Sequence, residues 1–162
     1  MTRPLAARRG FTLIEVLIVV VILGILAATV LPQFTVSNRE AKESVLRQNL
    51  QTMRAQIQLY RFQHNDALPG ATFVTQMTTA TNISGAAPTG TEATYGPYLV
   101  NGIPANPFIG DVAINKDVAV TSGSITKDAT TGWSYDSLTG DFRANMADTE
   151  LAADGITQLN EF

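Results

Sequence analysis

The segment GFTLIEVLIVVVILGILAATVLP, residues 10–32, decides the fold of this 162-residue chain. From Phe11 to Leu31 its only ionisable side chain is Glu15, and from Val16 to Ala28 every residue is apolar or glycine. A helix over residues 11–31 is about 32 Å long, which matches a hydrocarbon core of about 30 Å. The sequence therefore predicts one membrane-spanning helix near the start of the chain.

Charge is distributed unevenly around this segment. Residues 1–10 carry three arginines and no acid, and residues 35–62 carry five bases and two acids. Residues 63–162 carry three bases and eleven acids, a balance of −8. The positive-inside rule keeps the basic start in the cytoplasm and places the acidic part across the membrane. Nucleic-acid binding needs clustered lysine and arginine, so no nucleic-acid partner is expected.

A secretory signal peptide is the alternative interpretation of the basic start and the apolar core. Two observations count against it. The apolar segment is longer than the usual core of about 7–15 residues, and no Ala-x-Ala pattern closes it at Leu26-Ala27-Ala28-Thr29. The spanning helix is therefore the favoured interpretation.

Beyond Pro32 the pattern becomes that of an amphipathic helix. An apolar stripe recurs at helical spacing, and polar side chains occupy the opposite face, which is predicted to stay in water. The stripe is Leu46, Leu50, Met53, Ile57 and Tyr60, and the polar face is Arg47, Gln51, Arg54, Gln58 and Arg61. Turn-forming residues at 64–70 end the helix, and His64 is interpreted as lying in this solvated turn.

The distal residues predict a β-rich head. Short strands are expected at 112–120 and 132–145, with a hairpin joining Trp133–Tyr135 to Asp141–Asn145 across a glycine-containing turn. Residues 72–94 are expected to form a long loop with one short helix around Phe73–Thr81.

The fold class is therefore α+β. A long N-terminal helix, membrane-spanning in its first half and amphipathic in its second, packs on a small antiparallel sheet. The expected organisation is a basic leader at 1–10, a spanning helix at 11–34, an amphipathic helix at 35–63 and a globular head at 64–162.

Glu15 requires an explanation, because an ionised acid within a spanning helix costs about 2.5–3.5 kcal/mol and usually marks function. A structural explanation is also available. Thr12-x-x-Glu15 has the spacing of a capping box, and a negative charge near a helix N-terminus interacts favourably with the helix dipole. The spacing alone leaves both interpretations open.

Taken together, Gly10-Phe11-Thr12-Leu13-Ile14-Glu15, the uncharged segment after it, Gly24 and Pro32 resemble the type IV pilin superfamily. This superfamily includes the pseudopilins of type II secretion. The resemblance implies that a prepilin peptidase cleaves between Gly10 and Phe11 and methylates the new Phe11 amine. It also implies that Glu15 faces the Phe11 amine of a neighbouring subunit in a filament. The segment from Gly24 to Pro32 is expected to lose helicity on assembly, with a mild kink as the alternative.

Distal stretches at 96–99, 103–108 and 133–140 resemble the major pseudopilin branch, as does the absence of cysteine. Major pseudopilins often bind calcium in their C-terminal region. The resemblance therefore makes Asp136 and Asp141 candidate calcium ligands, with Asp148, Glu150 and Asp154 as further acids. Ordinary turn and surface carboxylates are the alternative. No other cofactor is expected.

No catalytic constellation is present in the sequence. There is no cysteine, a single histidine, and none of the phosphate-loop, zinc-protease or serine-hydrolase motifs. The chain is predicted not to be an enzyme.

Three functions remain. The favoured one is the major pseudopilin of a type II secretion system. The second is a surface type IV pilin for adhesion, motility or DNA uptake, and the third is a membrane-anchored binding protein that does not polymerise.

For a pseudopilin the expected location is the bacterial inner membrane, with a periplasmic head and filament. For a pilin the filament is expected at the cell surface. The expected partners are copies of the chain, a prepilin peptidase, minor pseudopilins, an assembly ATPase and inner-membrane platform proteins.

Overall fold

The computed structural model describes residues 10–92 and 94–162, so the predicted leader lies outside the described residues except for Gly10. The chain divides into two compact units, one ending at Asn38 and the other running from Arg39 to Phe162. The elements are α1 (Leu13–Gln63), α2 (Phe73–Thr78), β1 (Val118–Thr121), β2 (Trp133–Asp136), β3 (Phe142–Ala144) and a 3-10 turn at Leu159–Glu161. The predicted α+β architecture is confirmed.

In the first unit, α1 exposes apolar side chains on all sides. Every large hydrophobic residue from Phe11 to Leu26 has more than half of its surface exposed. By length and composition α1 is able to cross a membrane, and its backbone is helical through both Gly24 and Pro32. The predicted loss of helicity between these two residues concerns the assembled state and stays a prediction. An apolar surface of this extent needs lipid or protein to cover it.

In the second unit, the predicted apolar stripe of α1 forms one wall of the hydrophobic core. Its five members are at most 2% exposed, and they belong to one cluster with Trp133, Tyr135 and Phe142 of the sheet. Full burial of such side chains contributes about 1.5–3 kcal/mol each. The packing of α1 on the sheet therefore stabilises the head.

Arg54 is the member of the predicted polar face that does not lie in water. It is half-buried, its Nε donates to the Phe142 carbonyl oxygen at 3.1 Å, and its Nη2 donates to the Phe162 carbonyl oxygen. Burial lowers the pKa of its guanidinium, an effect that nearby Asp141 opposes. Helical periodicity could not predict that Arg54 is half-buried, because both of its acceptors come from distant parts of the chain.

His64 is 1% exposed, so the prediction of a solvated turn was wrong. Its ring stacks on Tyr60 with centroids 3.8 Å apart, and its Nε2 lies 3.0 Å from the Thr81 hydroxyl oxygen. The Tyr98 hydroxyl donates to Gln63 Oε1 at 2.7 Å, and burial raises the pKa of Tyr98 to about 12. Residues from the predicted long loop thus fold over the end of α1 and remove His64 from water.

The sheet has the order β1-β2-β3 and is mixed rather than wholly antiparallel. The predicted hairpin is present, with Tyr135 of β2 opposite Phe142 of β3. However, β1 runs parallel to β2, with Val118 opposite Trp133. Residues 122–132 carry the chain from the end of β1 back to the level of its first residue, so β2 runs in the same direction as β1. Gly132 is required where this connection meets β2, since a Cβ there would collide with the Asn115 carbonyl oxygen.

Two other predicted elements are shorter than expected. The strand expected at 112–120 begins only at Val118, because residues 111–117 form turns. The helix expected around Phe73–Thr81 is present as α2 and ends at Thr78. It buries Phe73 and Met77 in the core.

Asp136 holds the turn of the hairpin. Its Oδ1 accepts hydrogen bonds from the backbone N–H groups of Gly123 at 2.7 Å and Leu138 at 2.9 Å, and its Oδ2 accepts from the Thr139 hydroxyl at 2.8 Å. These hydrogen bonds, that of Gly123 foremost, lower the pKa of Asp136. One carboxylate thus joins the hairpin turn to the connection between β1 and β2.

We expect Leu50→Ala to lower the free energy of unfolding by about 2–5 kcal/mol, because it leaves a cavity in the core. Leu59→Ala is the matched control, since the same atoms are removed from a side chain that is 42% exposed. That variant is expected to stay within about 0.5 kcal/mol of the wild type. The measurement is urea unfolding of the detergent-solubilised full chain, followed by the fluorescence of its single tryptophan. If Leu50→Ala and Leu59→Ala lowered the free energy of unfolding equally, the burial of the stripe would be contradicted.

We expect Asp136→Asn to destabilise the head in a pH-dependent way. Because the folded-state pKa is lowered, the carboxylate contributes fully above its unfolded pKa of about 3.9 and loses this contribution as the pH falls through the folded value. Urea midpoints should therefore differ between variant and wild type at about pH 7 and converge as the pH falls below the folded-state pKa of Asp136. Glu150→Gln, at an exposed acid, serves as the control. A gap that is independent of pH would rule out this role.

Candidate functional site

The first turn of α1 brings Thr12 and Glu15 together in a reciprocal arrangement. The Glu15 N–H donates to the Thr12 hydroxyl oxygen at 3.3 Å, and the Thr12 N–H donates back to Glu15 Oε2 at 3.4 Å. The Thr12 hydroxyl also lies 3.4 Å from Oε2. This is the capping box that the spacing suggested, and it satisfies N–H groups that have no partner within the helix.

The capping contacts leave the Glu15 carboxylate accessible. All three are longer than the usual N–H···O distance of about 2.9–3.0 Å, and Phe11, Thr12 and Glu15 are all exposed. The carboxylate therefore completes the start of the helix and still faces its surroundings. Capping and a second, intermolecular interaction are compatible at this residue.

Within residues 10–38, the residues around Glu15 are apolar and include no base. Its neighbours Ile14 and Val16 are exposed hydrophobic residues, and no lysine or arginine occurs between Gly10 and Asn38. A carboxylate removed from water needs a cation or several hydrogen-bond donors. A cationic side chain for Glu15 must therefore come from outside this part of the sequence.

Gly10 and Phe11 precede α1 and are not helical. Both are exposed, and among the described residues nothing lies within 4 Å of the position that a Cβ on Gly10 would take. Cleavage at the Gly10–Phe11 bond and methylation of Phe11 stay predictions, as does the role of Glu15 in assembly.

The residues predicted to bind calcium are occupied by donors of the protein. Asp136 accepts the three hydrogen bonds of the hairpin turn, and Asp141 Oδ2 accepts from Arg143 Nε at 2.6 Å. Across residues 10–92 and 94–162, no group of three or more His, Cys, Asp or Glu side chains is placed to hold a metal ion. These contacts give the calcium prediction no support, and it stays a prediction.

The last residues of the chain make contacts that the sequence did not reveal. The Arg39 guanidinium donates to the Leu151 carbonyl oxygen, and the buried Glu43 carboxylate accepts from the Ala153 N–H. The Arg47 guanidinium lies 3.7 Å from the centre of the Phe162 ring. The tail at 146–162 thus binds the part of α1 that begins at Arg39. In the sequence, only the position of Glu43 next to the apolar stripe could have indicated this contact between the tail and α1.

Known proteins match the N-terminal part of the chain. The family model described as the prokaryotic N-terminal methylation motif matches residues 5–31. Type II secretion system core protein G of Pseudomonas aeruginosa is 46% identical over 52 residues, which are 32% of this chain and 37% of that protein. Competence protein ComGC of Halalkalibacterium halodurans is 33% identical over 69 residues, which are 43% of this chain and 67% of that protein. No solved structure matches the chain significantly.

The chain spans just over a third of the length of the Pseudomonas protein and two thirds of the competence protein. Neither is named as an enzyme, in agreement with the absence of a catalytic motif. The methylation motif includes Gly10, Phe11 and Glu15, on which the sequence resemblance depended. On these matches and its α+β architecture, the chain belongs to the type IV pilin superfamily and is similar in its N-terminal region to core protein G of the Pseudomonas type II secretion system.

Proposed function

We propose that the chain is the structural subunit of a type IV pilin-like filament, the major pseudopilin of a type II protein secretion system. The observation that carries this proposal is the placement of Glu15. It is the single acid of the apolar segment at residues 11–31, four residues from the Gly10–Phe11 bond and inside the matched methylation motif. No base in that part of the chain can neutralise it.

Processing supplies the missing cation. Hydrolysis of the Gly10–Phe11 bond by a prepilin peptidase leaves a carboxylate on Gly10 and an amine on Phe11, and the amine stays basic after methylation. In the polymer, Glu15 of one copy pairs with the Phe11 ammonium of a neighbour. Breaking a buried ion pair costs about 3–5 kcal/mol, whereas an exposed pair is worth about 0–1 kcal/mol. The pair therefore stabilises the filament only where apolar helices enclose it.

The remaining parts of the chain have matching roles. The apolar half of α1 anchors each copy in the inner membrane, and the head lies in the periplasm, where the filament grows. An assembly ATPase and inner-membrane platform proteins supply the energy, and minor pseudopilins complete the filament. The segment from Gly24 to Pro32 is the part of α1 most easily unwound, because glycine costs about 1 kcal/mol relative to alanine and proline lacks a backbone donor.

A surface pilin for DNA uptake is the second candidate. The match to the competence protein favours it, since the matched segment covers 67% of that protein. Both candidates share the chemistry at Phe11 and Glu15 and differ in the fate of the filament. A non-polymerising, membrane-anchored binding protein would instead retain Met1 and carry no methyl group on Phe11.

We expect Glu15→Ala to insert into the membrane and lose its leader normally but to assemble poorly, because the Phe11 ammonium is left without a partner. A loss of 3 kcal/mol per contact corresponds to more than a hundredfold in the association constant. The measurement is the yield of filaments recovered from spheroplasts, which includes periplasmic filaments, together with the intact mass of the membrane-bound subunit. Glu40→Ala is the control, since it removes an exposed acid of the same helix beyond the apolar segment. Normal filament yield from Glu15→Ala would overturn the proposal.

Deletion of the chain separates the two filament functions. For a pseudopilin we expect enzymes normally found in the medium to accumulate in the periplasm, with DNA uptake unchanged. For an uptake pilin we expect transformation to fail and secretion to continue. The measurements are enzyme activity in the medium and transformation frequency, each restored by the intact gene. Neighbouring genes for an outer-membrane secretin and minor pseudopilins would support the first outcome.

A further inference from the structure

The two edges of the sheet differ in how their backbone groups are bonded. At the β3 edge, the Phe142 carbonyl oxygen accepts a hydrogen bond from Arg54 Nε at 3.1 Å, so α1 satisfies a backbone acceptor there. The opposite edge is β1, which pairs with β2 and with no other strand of the described residues. The backbone of the sheet therefore ends at the outer side of β1.

The hydrogen bonds of β1 show which of its backbone groups face outward. The carbonyl oxygens of Asp117 and Thr121 accept from N–H groups of β2 and of the residue that follows it, at 3.0 and 2.9 Å. Because backbone groups alternate in direction along a strand, the N–H and C=O groups of Val118 and Val120 point away from β2. In the described part of the chain, these four groups have no hydrogen-bond partner.

The strand β1 also lacks features that usually protect a sheet edge. Its sequence, Val-Ala-Val-Thr, contains no charged residue and no proline. Val118 and Val120 pack against the hydrophobic core, which fixes the position of the strand. The open edge is thus a rigid series of donors and acceptors that repeats every second residue. Another extended backbone has the matching spacing.

We propose that the outer side of β1 binds an extended, basic segment of a partner polypeptide, which adds a fourth strand to the sheet. Backbone hydrogen bonds to Val118 and Val120 hold this segment in register. The inference concerns the head alone and does not depend on the filament function.

The charge of the head favours a basic partner over a second copy of the chain. Residues 63–162 carry −8, so two heads repel each other. The segments that flank β1, at 111–117 and 122–128, hold three acids and two bases. One of these bases, Lys127, is already paired with Asp148 at 2.8 Å. A basic segment is therefore attracted to a surface that opposes self-association.

The first test measures amide hydrogen exchange by NMR in the detergent-solubilised full chain, with and without the end-blocked peptide KTVTVTK. In the free chain we expect the amides of Val118 and Val120 to exchange quickly and those of Ala119 and Thr121, which face β2, to exchange slowly. Addition of the peptide should slow exchange at Val118 and Val120 by about tenfold or more. Protection of these two amides in the free chain, or no change on addition of the peptide, would overturn the inference.

The second test is Val120→Pro, which removes one outward donor and no hydrogen bond to β2. An edge strand accepts proline at such a position. We expect peptide affinity to fall by about tenfold. Val120→Thr is the matched control, because it keeps the N–H and the shape of the side chain, and its affinity should stay within about twofold of the wild type. If Val120→Pro does not fold, as judged by its urea midpoint, the exchange measurement on the wild-type chain decides.

A modified peptide separates backbone pairing from attraction by charge. KTVTVTK with its five central amides N-methylated keeps both lysines but has lost the backbone donors of the strand, and we expect it not to bind. Equal binding of the two peptides would overturn the inference, since charge alone would then be sufficient. Protection of Val118 and Val120 that rises with the concentration of the chain, without peptide, would also overturn it, because the occupant would then be a second copy.

Discussion

The head depends on the packing of one helical stripe against a small sheet. Leu46, Leu50, Met53, Ile57 and Tyr60 present a continuous apolar surface, and the aromatic residues Trp133, Tyr135 and Phe142 cover it. A three-stranded sheet of this size has too little surface to form a core by itself. The second half of α1 is therefore part of the head rather than a linker that leads to it. In agreement with this, the second compact unit begins at Arg39 and includes this half of α1 together with the sheet.

Glu15 has an observed role in the single chain and a proposed one in a filament. In the single chain its carboxylate caps α1 together with Thr12, through contacts of 3.3–3.4 Å that are weak enough to be exchanged. A structural explanation and a functional one are often treated as rivals for such a residue. Here the capping contacts hold an exposed carboxylate at the start of an apolar helix. The observed capping is therefore compatible with the ion pair proposed for the filament.

Features that repeat along the sequence were predictable, and contacts between distant segments were not. The apolar segment, the stripe of α1, the short helix at Phe73 and the hairpin after Trp133 all follow from local periodicity or turn chemistry. The parallel placement of β1 depends on the path of residues 122–132, which carry no periodic signal. The burial of His64 depends on the loop that supplies Thr81. For the candidate site, sequence alone located Gly10, Phe11 and Glu15, but it could not show that Asp136 and Asp141 are held by protein donors.

The contacts of the tail with α1 have a consequence for biogenesis. Arg39 binds the carbonyl group of Leu151, 112 residues later in the chain, and Arg54 binds that of Phe162, 108 residues later. Contacts of such long sequence separation form late, because a large loop must close first. During synthesis, α1 therefore emerges long before the residues that complete its packing. The head therefore reaches its final packing only after residues 151–162 have been synthesised.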